Sequence, residues 1–326
     1  MLRGPSEPVT IEERAVKHFA WLALITLVRL VRFGPALWAD LMDPGRVFGF
    51  FTIIAGSDVF GAGLALRGLL APALALWVAA LVLWLVLIYV GFMVLTLRNT
   101  ADGANIVAGG WLNAIVGTQS LVVLGAIVAP LCGPLAPAVF VLIHALWGIG
   151  LALYGIFIAL FAARIFYRAV VPDDLSPMLW VVMGAAAIST NAGSVLIVTD
   201  SGIAFLTTMR PFIDAVTLMV WAWATWWIPL LVMFGIWKHG VHRVPLTYTP
   251  PLWSMVFPLG MYSIATARLS LAADFPPLHT GARAMMWLAL AVWVATALAL
   301  IVATWRSARG ERVPDERGRS GAEPAR

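Results

Sequence analysis

The 326-residue chain has few charged residues and a single cysteine. Only 11% of its residues are Asp, Glu, Lys or Arg, whereas 62% are hydrophobic. A soluble domain of this length cannot bury so much apolar surface, so a lipid bilayer must surround much of the chain. The one cysteine, Cys132, excludes an internal disulfide framework and a multi-cysteine metal site.

Sequence signals of several other protein classes are also missing. The chain has no GK[ST] phosphate-binding loop, so it does not encode an ATP-driven pump. Its opening residues, MLRGPSEPVTIEERAVKH, are polar and mixed in charge, unlike a cleavable signal peptide. A membrane-embedded enzyme needs a convergent set of ionisable side chains, and the apolar segments contain only the isolated Asp58, Asp214 and His144. We therefore expect no enzymatic activity, no metal site and no cofactor.

Long apolar runs dominate what is present. A bilayer core of about 30 Å needs roughly 20 apolar residues per helix. Eight segments meet this requirement: residues 47–66, 72–97, 111–131, 137–166, 178–199, 212–237, 252–271 and 284–305. A ninth, shorter segment at 16–33 is either a further span or an interfacial helix. We assign residues 1–15 to a polar N-terminal segment, 16–306 to a transmembrane helical bundle, and 307–326 to a disordered cytoplasmic tail.

Basic residues close alternate helices and indicate an internal repeat. They recur at intervals of roughly 65–75 residues, as expected for a repeated helical hairpin with a short first helix and a longer second one. The positive-inside rule places these basic ends in the cytoplasm, in a multi-pass protein of the bacterial cytoplasmic membrane. The net charge of +5 therefore reflects topology and not nucleic-acid binding. The basic ends are Arg29/Arg32, Arg98, Arg164/Arg168, Lys238/Arg243 and Arg306/Arg309.

The two helices of each hairpin differ in chemistry. Second helices such as LWVAALVLWLVLIYVGFMVL are almost wholly apolar, whereas first helices carry small and hydrogen-bonding residues. Because polar groups are costly in hydrocarbon, we expect the first helices to form an inner ring that lines a pathway. The alternative is that these polar residues only join helices together. The predicted pathway-lining residues are Ser57, Asp58, Asn113, Thr118, Gln119, Thr190, Asn191, Ser194, Ser254 and Tyr262.

The segment PLWSMVFPLGMYSIATARLS, residues 251–270, places a proline inside a predicted span. Pro258 has no amide hydrogen, so the carbonyl of Ser254 loses its helical partner and the helix can bend. Such a bend can push Phe257 into the central space, where its ring would act as an apolar gate. Alternatively, the proline is a tolerated membrane-helix residue and Phe257 faces lipid or packs against a neighbour.

Three charged residues of the predicted spans allow two interpretations each. An ionised Asp58 would repel an anion, so we expect it to be protonated, hydrogen-bonded to hydroxyls or paired. Its role is then either proton coupling or that of a satisfied structural carboxyl. Arg210 and Arg268, near the predicted outer ends of their helices, either draw anions to the mouth or extend to lipid headgroups.

One run of the sequence, WATWWIPLLVMFGIWKHGVHRVPLTYTPPLWSMVFPLGMYSIATARL at residues 223–269, resembles part of a known family. It is similar to the C-terminal portion of the tellurite-resistance/C4-dicarboxylate transporter family, which includes slow-type anion channels and malate permeases. The stretches FGFFTIIAGSDVFG, WLNAIVGTQSLVVLG and AAAISTNAGSVLI resemble other inner helices of that family. The family's first helix has no counterpart here, and residues 16–33 match only the latter part of its second helix.

The resemblance implies a bundle of helical hairpins, commonly a homotrimer with one pore per subunit. A phenylalanine plugs the pore in that family, and Phe257 occupies the matching position in WSMVFPLG. The implied function is a transporter or channel for small anions, either C4-dicarboxylates such as malate or tellurite-type oxyanions. The alternative is a non-transporting membrane sensory or scaffold protein.

Overall fold

The computed structural model of the chain describes residues 31–98, 109–167 and 169–309, together with positions 21, 25, 26, 28 and 29. The residues in these ranges fold into helices and connecting turns, and none of them forms a strand. This confirms the predicted all-α class. The predicted N-terminal segment 1–15, much of the segment 16–33 and positions 310–326 of the predicted tail lie outside the described residues.

Four consecutive helix pairs follow a short helix, α1 (Gly34–Leu41). The first members of the pairs are 15 to 20 residues long, and the second members are 29 to 33 residues long, which confirms the predicted short-then-long hairpins. The first members are α2 (Phe51–Ala65), α4 (Asn113–Val128), α6 (Trp180–Val198) and α8 (Trp253–Ala272). The second members are α3 (Leu70–Arg98), α5 (Ala136–Tyr167), α7 (Ala204–Ile236) and α9 (Pro277–Ala308).

Seven helical stretches of the described chain are long and apolar enough to cross a membrane. One of them, Gly110–Ile165, has 56 residues and contains both α4 and α5. A single straight helix of that length would extend about 80 Å, far beyond a bilayer core. Gly133 breaks it, because its φ of 52° and ψ of −121° are not helical. The eight predicted spans are therefore confirmed.

Burial separates the first helices from the second ones. In α4, 13 of 16 residues are buried, and in α6, 17 of 19 are buried. In contrast, α9 buries three of its 32 residues, and its exposed surface is aliphatic and aromatic. An apolar surface of that kind is suited to lipid contact. The polar helices are thus the buried ones, as the sequence predicts, although α2 and α8 are buried over only part of their surfaces.

The chain divides into two compact units, Met1–Arg164 with Thr199–Arg210, and Ile165–Val198 with Pro211–Arg326. In the first unit, α2 and α4 lie side by side and run in the same direction. Gly117 of α4 packs against Phe51, and further along both helices Leu124 packs against Gly61. A parallel pair of first helices is the arrangement that a hairpin repeat requires.

Two tryptophans of α3 attach this second helix to α4 in the first unit. The indole nitrogen of Trp77 donates to the carbonyl of Leu121 at 2.9 Å. That of Trp84 donates to the hydroxyl of Thr118 at 2.7 Å. Trp77 precedes Trp84 on α3, whereas its partner Leu121 follows Thr118 on α4. The two helices are therefore antiparallel.

An aromatic cluster closes the same unit at the start of α2. The ring of Phe48 lies 5.5 to 6.2 Å from those of Phe51, Phe92, Trp111 and Phe157. These rings come from the segment before α2 and from α2, α3, the turn before α4, and α5. Aromatic pairs at such distances add about 0.5–1.5 kcal/mol each beyond their buried area. The cluster therefore packs together parts of several helices that are far apart in the sequence.

Outside the spans, Asp40 of α1 forms ion pairs with two arginines. It accepts a hydrogen bond from Arg46 at 2.6 Å and pairs with Arg29. The hydrogen bond from Arg46 is the main cause that lowers the pKa of Asp40 below its ordinary value. Exposed pairs of this kind contribute little to stability.

In the second unit, α7 and α8 are antiparallel and joined by two side-chain hydrogen bonds. Trp221 donates to the hydroxyl of Thr266 at 3.0 Å, and the hydroxyls of Thr225 and Tyr262 lie 2.7 Å apart. Helices α8 and α9 are joined by Ser263, whose hydroxyl donates to the carbonyl of Ala282 at 2.8 Å.

Pro258 packs directly on α6. A Cβ atom placed on Gly184 would lie 2.8 Å from Cγ and 2.9 Å from Cβ of Pro258. Real carbon atoms do not approach so closely, so only glycine at 184 lets the proline ring rest against α6. The contact positions the backbone of α8 immediately after Phe257.

We expect Gly125→Ala to destabilise the first unit. The added methyl would lie 2.6 Å from Cγ2 of Ile143 and 2.9 Å from the indole nitrogen of Trp77. Overpacking of this kind costs about 1–3 kcal/mol. The control is Gly148→Ala in α5, where no atom lies within 4 Å. Thermal unfolding in detergent should show a lower midpoint for Gly125→Ala alone, and equal midpoints for the two variants would contradict the packing described.

Gly184→Ala should likewise destabilise the second unit, because the methyl would displace Pro258. The matched control is Gly260→Ala in α8, which has open space around it. Since alanine is favoured over glycine in helices by up to about 1 kcal/mol, the control should be neutral or slightly stabilising. Melting of the two proteins in the same detergent tests this, and a stabilised Gly184→Ala protein would show that the contact is not tight.

Candidate functional site

Phe257 lies on an open face of α8. Its side chain is 38% exposed, whereas the following Pro258 is buried. Ile264 and Leu271 are also exposed, and they lie seven and fourteen residues further on, which places all three on one side of the helix. The ring of Phe257 is thus partly accessible while Pro258 holds the adjacent backbone against Gly184. Both the predicted gate and the lipid-facing alternative require an accessible ring.

The other two predicted lining residues of α8 have different surroundings. Tyr262 is buried, and its hydroxyl bonds Thr225 of α7. Both residues line a groove of about 390 Å³ among α7, α8 and α9. Ser254, one turn before Pro258, is half-buried. The hydroxyl of Tyr262 therefore joins a first helix to a second one.

The polar residues of α6 mostly satisfy their own hydrogen bonds. Thr190 donates to the carbonyl of Ala186 at 3.0 Å, and Ser194 donates to that of Thr190 at 2.9 Å. Such bonds to the preceding turn let a hydroxyl sit in a buried helix without an outside partner. Asn191 is different, since its buried side-chain oxygen has no hydrogen-bond partner among the described residues.

On α4, Thr118 and Gln119 contact the second helices of their unit. Thr118 accepts from Trp84 and donates to its own helix at Ala114. The amide nitrogen of Gln119 donates to the carbonyl of Trp147 at 3.3 Å, and its oxygen has no partner among the described residues. Asn113, at the start of α4, is half-buried.

The carboxyl of Asp58 is hydrogen-bonded to a hydroxyl, which is one of the three states that the sequence predicts for it. Its side chain is 2% exposed, and one carboxyl oxygen, Oδ2, lies 2.7 Å from Oγ of Ser120 on α4. The other, Oδ1, is buried without a hydrogen-bond partner in the described part of the chain. Ser57, next to it, is half-buried. Sequence reasoning did not select Ser120, because no pattern links two residues 62 positions apart on different helices.

The two basic residues assigned to the outer ends are accessible to different degrees. Arg210 is exposed and Arg268 is half-buried. No ion pair joins either guanidinium to a carboxylate of the described ranges.

A cavity of about 690 Å³ in the second unit was not anticipated from the sequence. It lies at the ends of α6, α7 and α8, and Lys238, His239 and Met255 are among its lining residues. Lys238 donates to the carbonyl of Leu175 at 3.2 Å from a π-helical turn, Trp237–Val241. Met255 is about 200° around the helix from Phe257, so the cavity and the open face lie on different sides of α8.

Metal-ligand side chains do not cluster in the described ranges, where no three His, Cys, Asp or Glu residues lie together. Asp58 and His144 in the spans bond a serine hydroxyl and a backbone carbonyl, respectively. His144 bonds the carbonyl of Phe140 in its own helix at 2.7 Å. The arrangement positions hydrogen-bonding groups along the helices.

Comparison with known proteins identifies relatives in bacteria and archaea. The chain is 42% identical over 144 residues to an uncharacterized membrane protein of Mycobacterium tuberculosis, an alignment that covers 44% of this chain and 72% of the relative. It is 23% identical over 194 residues to an uncharacterized transporter of Methanocaldococcus jannaschii, covering 59% of this chain and 55% of that protein. No solved structure matches the chain significantly.

The sequence pattern of one family covers most of the chain. The voltage-dependent anion channel family matches residues 15–301, from before the first predicted segment to within α9. This range includes α1 to α8, most of α9 and the run around Phe257 that carries the resemblance noted from sequence. The protein therefore belongs to the voltage-dependent anion channel family of polytopic membrane proteins.

Proposed function

We propose that this protein is a channel or low-affinity carrier for small anions, gated by Phe257. The observation that carries the proposal is the accessible ring of Phe257 on a polar first helix, next to a proline held against Gly184. Membership in an anion channel family supplies the class of substrate. The relative named as an uncharacterized transporter also supports a transport function.

The local structure suits a gate because the backbone next to Phe257 is held in place while the ring itself is partly exposed. Pro258 is buried against α6, so the chain at this point of α8 is held in place. We propose that the partly exposed Phe257 side chain changes rotamer while Pro258 keeps that contact. An apolar ring in a narrow passage blocks hydrated ions until it moves aside.

The scarcity of positively charged residues along the first helices favours weak binding of anions over tight binding. Helices α2, α4 and α6 contain no lysine or arginine, and α8 contains only Arg268, in its second half. Arg210 and Arg268, at the predicted outer ends, would raise the local concentration of anions. Selection along the pathway then depends on size and on the cost of dehydration. We propose chloride, C4-dicarboxylates such as malate, and tellurite-type oxyanions as candidate substrates.

The proposed pathway is lined by polar residues of the first helices. They are Ser57, Asp58, Asn113, Thr118, Gln119, Thr190, Asn191, Ser194, Ser254 and Tyr262. Several of them are hydrogen-bonded inside their own unit, as described above. The amide oxygens of Gln119 and Asn191 support the lining, because they are buried without a partner among the described residues, which is costly unless water or substrate reaches them.

We also propose that the protein works as a homotrimer in the bacterial cytoplasmic membrane. The support is the family and the wide apolar surface of the second helices. Native mass spectrometry of the protein released from detergent should give three copies per particle. A strictly monomeric protein that still transports anions would contradict this part of the proposal.

Replacing Phe257 by alanine should open the passage. We expect anion flux into proteoliposomes to rise about tenfold or more, which corresponds to a barrier lowered by at least about 1.4 kcal/mol. Chloride, malate and tellurite are tested in turn, with radiolabel or ion-selective electrodes as the readout.

The matched control is Phe212→Ala, which removes another exposed ring, one that is more accessible than Phe257, from the second helix α7. It should leave flux unchanged. If neither the parent nor Phe257→Ala conducts any anion, the transport proposal is wrong and a non-transporting sensory or scaffold role takes its place. If both phenylalanine variants increase flux alike, Phe257 is not a specific gate.

A further inference from the structure

The carboxyl of Asp58 lies within a closely packed interface between α2 and α4. On one side of it Phe51 packs against Gly117, and on the other Leu124 packs against Gly61. Asp58 is 2% exposed, so its carboxyl is removed from bulk solvent. An ionised group in such a place is stable only if a positive charge or several hydrogen-bond donors compensate it.

No compensating charge from the described part of the chain faces this carboxyl. The elements that pack against α2 are α3, α4 and the turn Val47–Phe50. The turn and α4 contain no ionisable side chain. On α3 the ionisable residues are Tyr89 and Arg98, and both are exposed. Among the described residues, the salt bridges do not include Asp58.

Hydrogen-bond counting around Ser120 indicates where a proton is held. Oγ of Ser120 lies 2.7 Å from Oδ2 of Asp58 and 2.8 Å from the carbonyl oxygen of Gly117. A serine hydroxyl has one hydrogen, and a carbonyl can only accept. If the carboxyl is protonated, Asp58 donates to Ser120 and Ser120 donates to Gly117, so both contacts are satisfied. If Asp58 is ionised, one of the two short contacts has no hydrogen of its own.

We propose that Asp58 and Ser120 form a proton-binding site, and that anion transport by this protein is coupled to proton binding there. The inference deepens the proposed function and rests on it. In the coupled step, one carboxylate oxygen forms an O–H bond with a proton from water on one side of the membrane. That bond breaks on the other side, so no electrons are exchanged and no further reactant is needed.

Coulomb repulsion provides the coupling between the two ions. Asp58 belongs to a first helix, and an ionised carboxylate there would oppose an anion in the neighbouring passage. Protonation removes that repulsion, and an anion in the passage in turn favours protonation, because the coupling of two ligands is reciprocal. Anion flux should therefore increase as the pH falls, and protons should move in the same direction as the anions.

The experiment measures both ions in the same proteoliposomes. A chloride gradient drives uptake while a trapped pH-sensitive dye reports internal protons, and chloride is chosen because it carries no proton itself. The parent protein should acidify the interior as chloride enters. Asp58→Asn is designed to keep the fold, because its side-chain amide nitrogen can donate to Ser120 as the neutral carboxyl does. It should transport chloride with little dependence on pH and with proton movement reduced at least about tenfold.

Asp214→Asn is the matched control. Asp214 is an exposed carboxyl on α7, so the substitution makes the same change of charge away from the proposed site. Its proton coupling should equal that of the parent. Chloride transport by the parent without proton movement, or unchanged coupling in Asp58→Asn, would overturn the inference while leaving the anion proposal intact.

A second measurement separates this inference from the proposed function. Infrared spectroscopy of the parent in liposomes should show a neutral carboxyl stretching band that Asp58→Asn removes and Asp214→Asn retains. Ser120→Ala should shift the band, because the carboxyl loses its hydrogen-bond acceptor. If no anion is transported but the band behaves in this way, the proton site stands and the transport proposal fails. If no band depends on Asp58, the proton site itself is wrong.

Discussion

A polar side chain inside a bilayer must find its hydrogen-bond partner within the protein, and the arrangement of these helices depends on that requirement. Thr118 illustrates it, because its hydroxyl accepts from Trp84 of a second helix and donates to the carbonyl of Ala114 in its own. On α6 the hydroxyls of Thr190 and Ser194 are satisfied by the preceding turn. The first helices can thus be polar and buried together, while the second helices present an apolar surface to lipid.

Small residues make this burial possible by letting helices approach closely. Gly117 accepts the side chain of Phe51, and Gly184 accepts the ring of Pro258. Each contact also lies next to a residue for which we propose a function. The first frames the interface that contains Asp58, and the second fixes the backbone beside Phe257. Packing and the proposed chemistry are therefore joined through the same few glycines.

The two candidates represent two ways of using a polar helix in a membrane. At Phe257 an apolar ring stands on a helix whose other polar groups bond neighbouring helices, so movement of one side chain can control passage. At Asp58 an ionisable group lies in a packed interface beside Ser120, where its charge is costly and where we place the proposed proton-binding site. Family membership gives both features a common setting, a protein of the anion channel type.

The sequence by itself determined the membrane class, the eight spans and the alternation of short polar with long apolar helices, because each rests on local composition and length. It also indicated the family, since the run around Phe257 is contiguous. Only the tertiary structure decided that Asp58 meets Ser120, that Tyr262 bonds Thr225, and that Pro258 rests on Gly184. These pairs join residues of different helices. Helical periodicity specifies which face a residue occupies, but not which neighbour lies opposite, and that choice is made by the packing of whole helices.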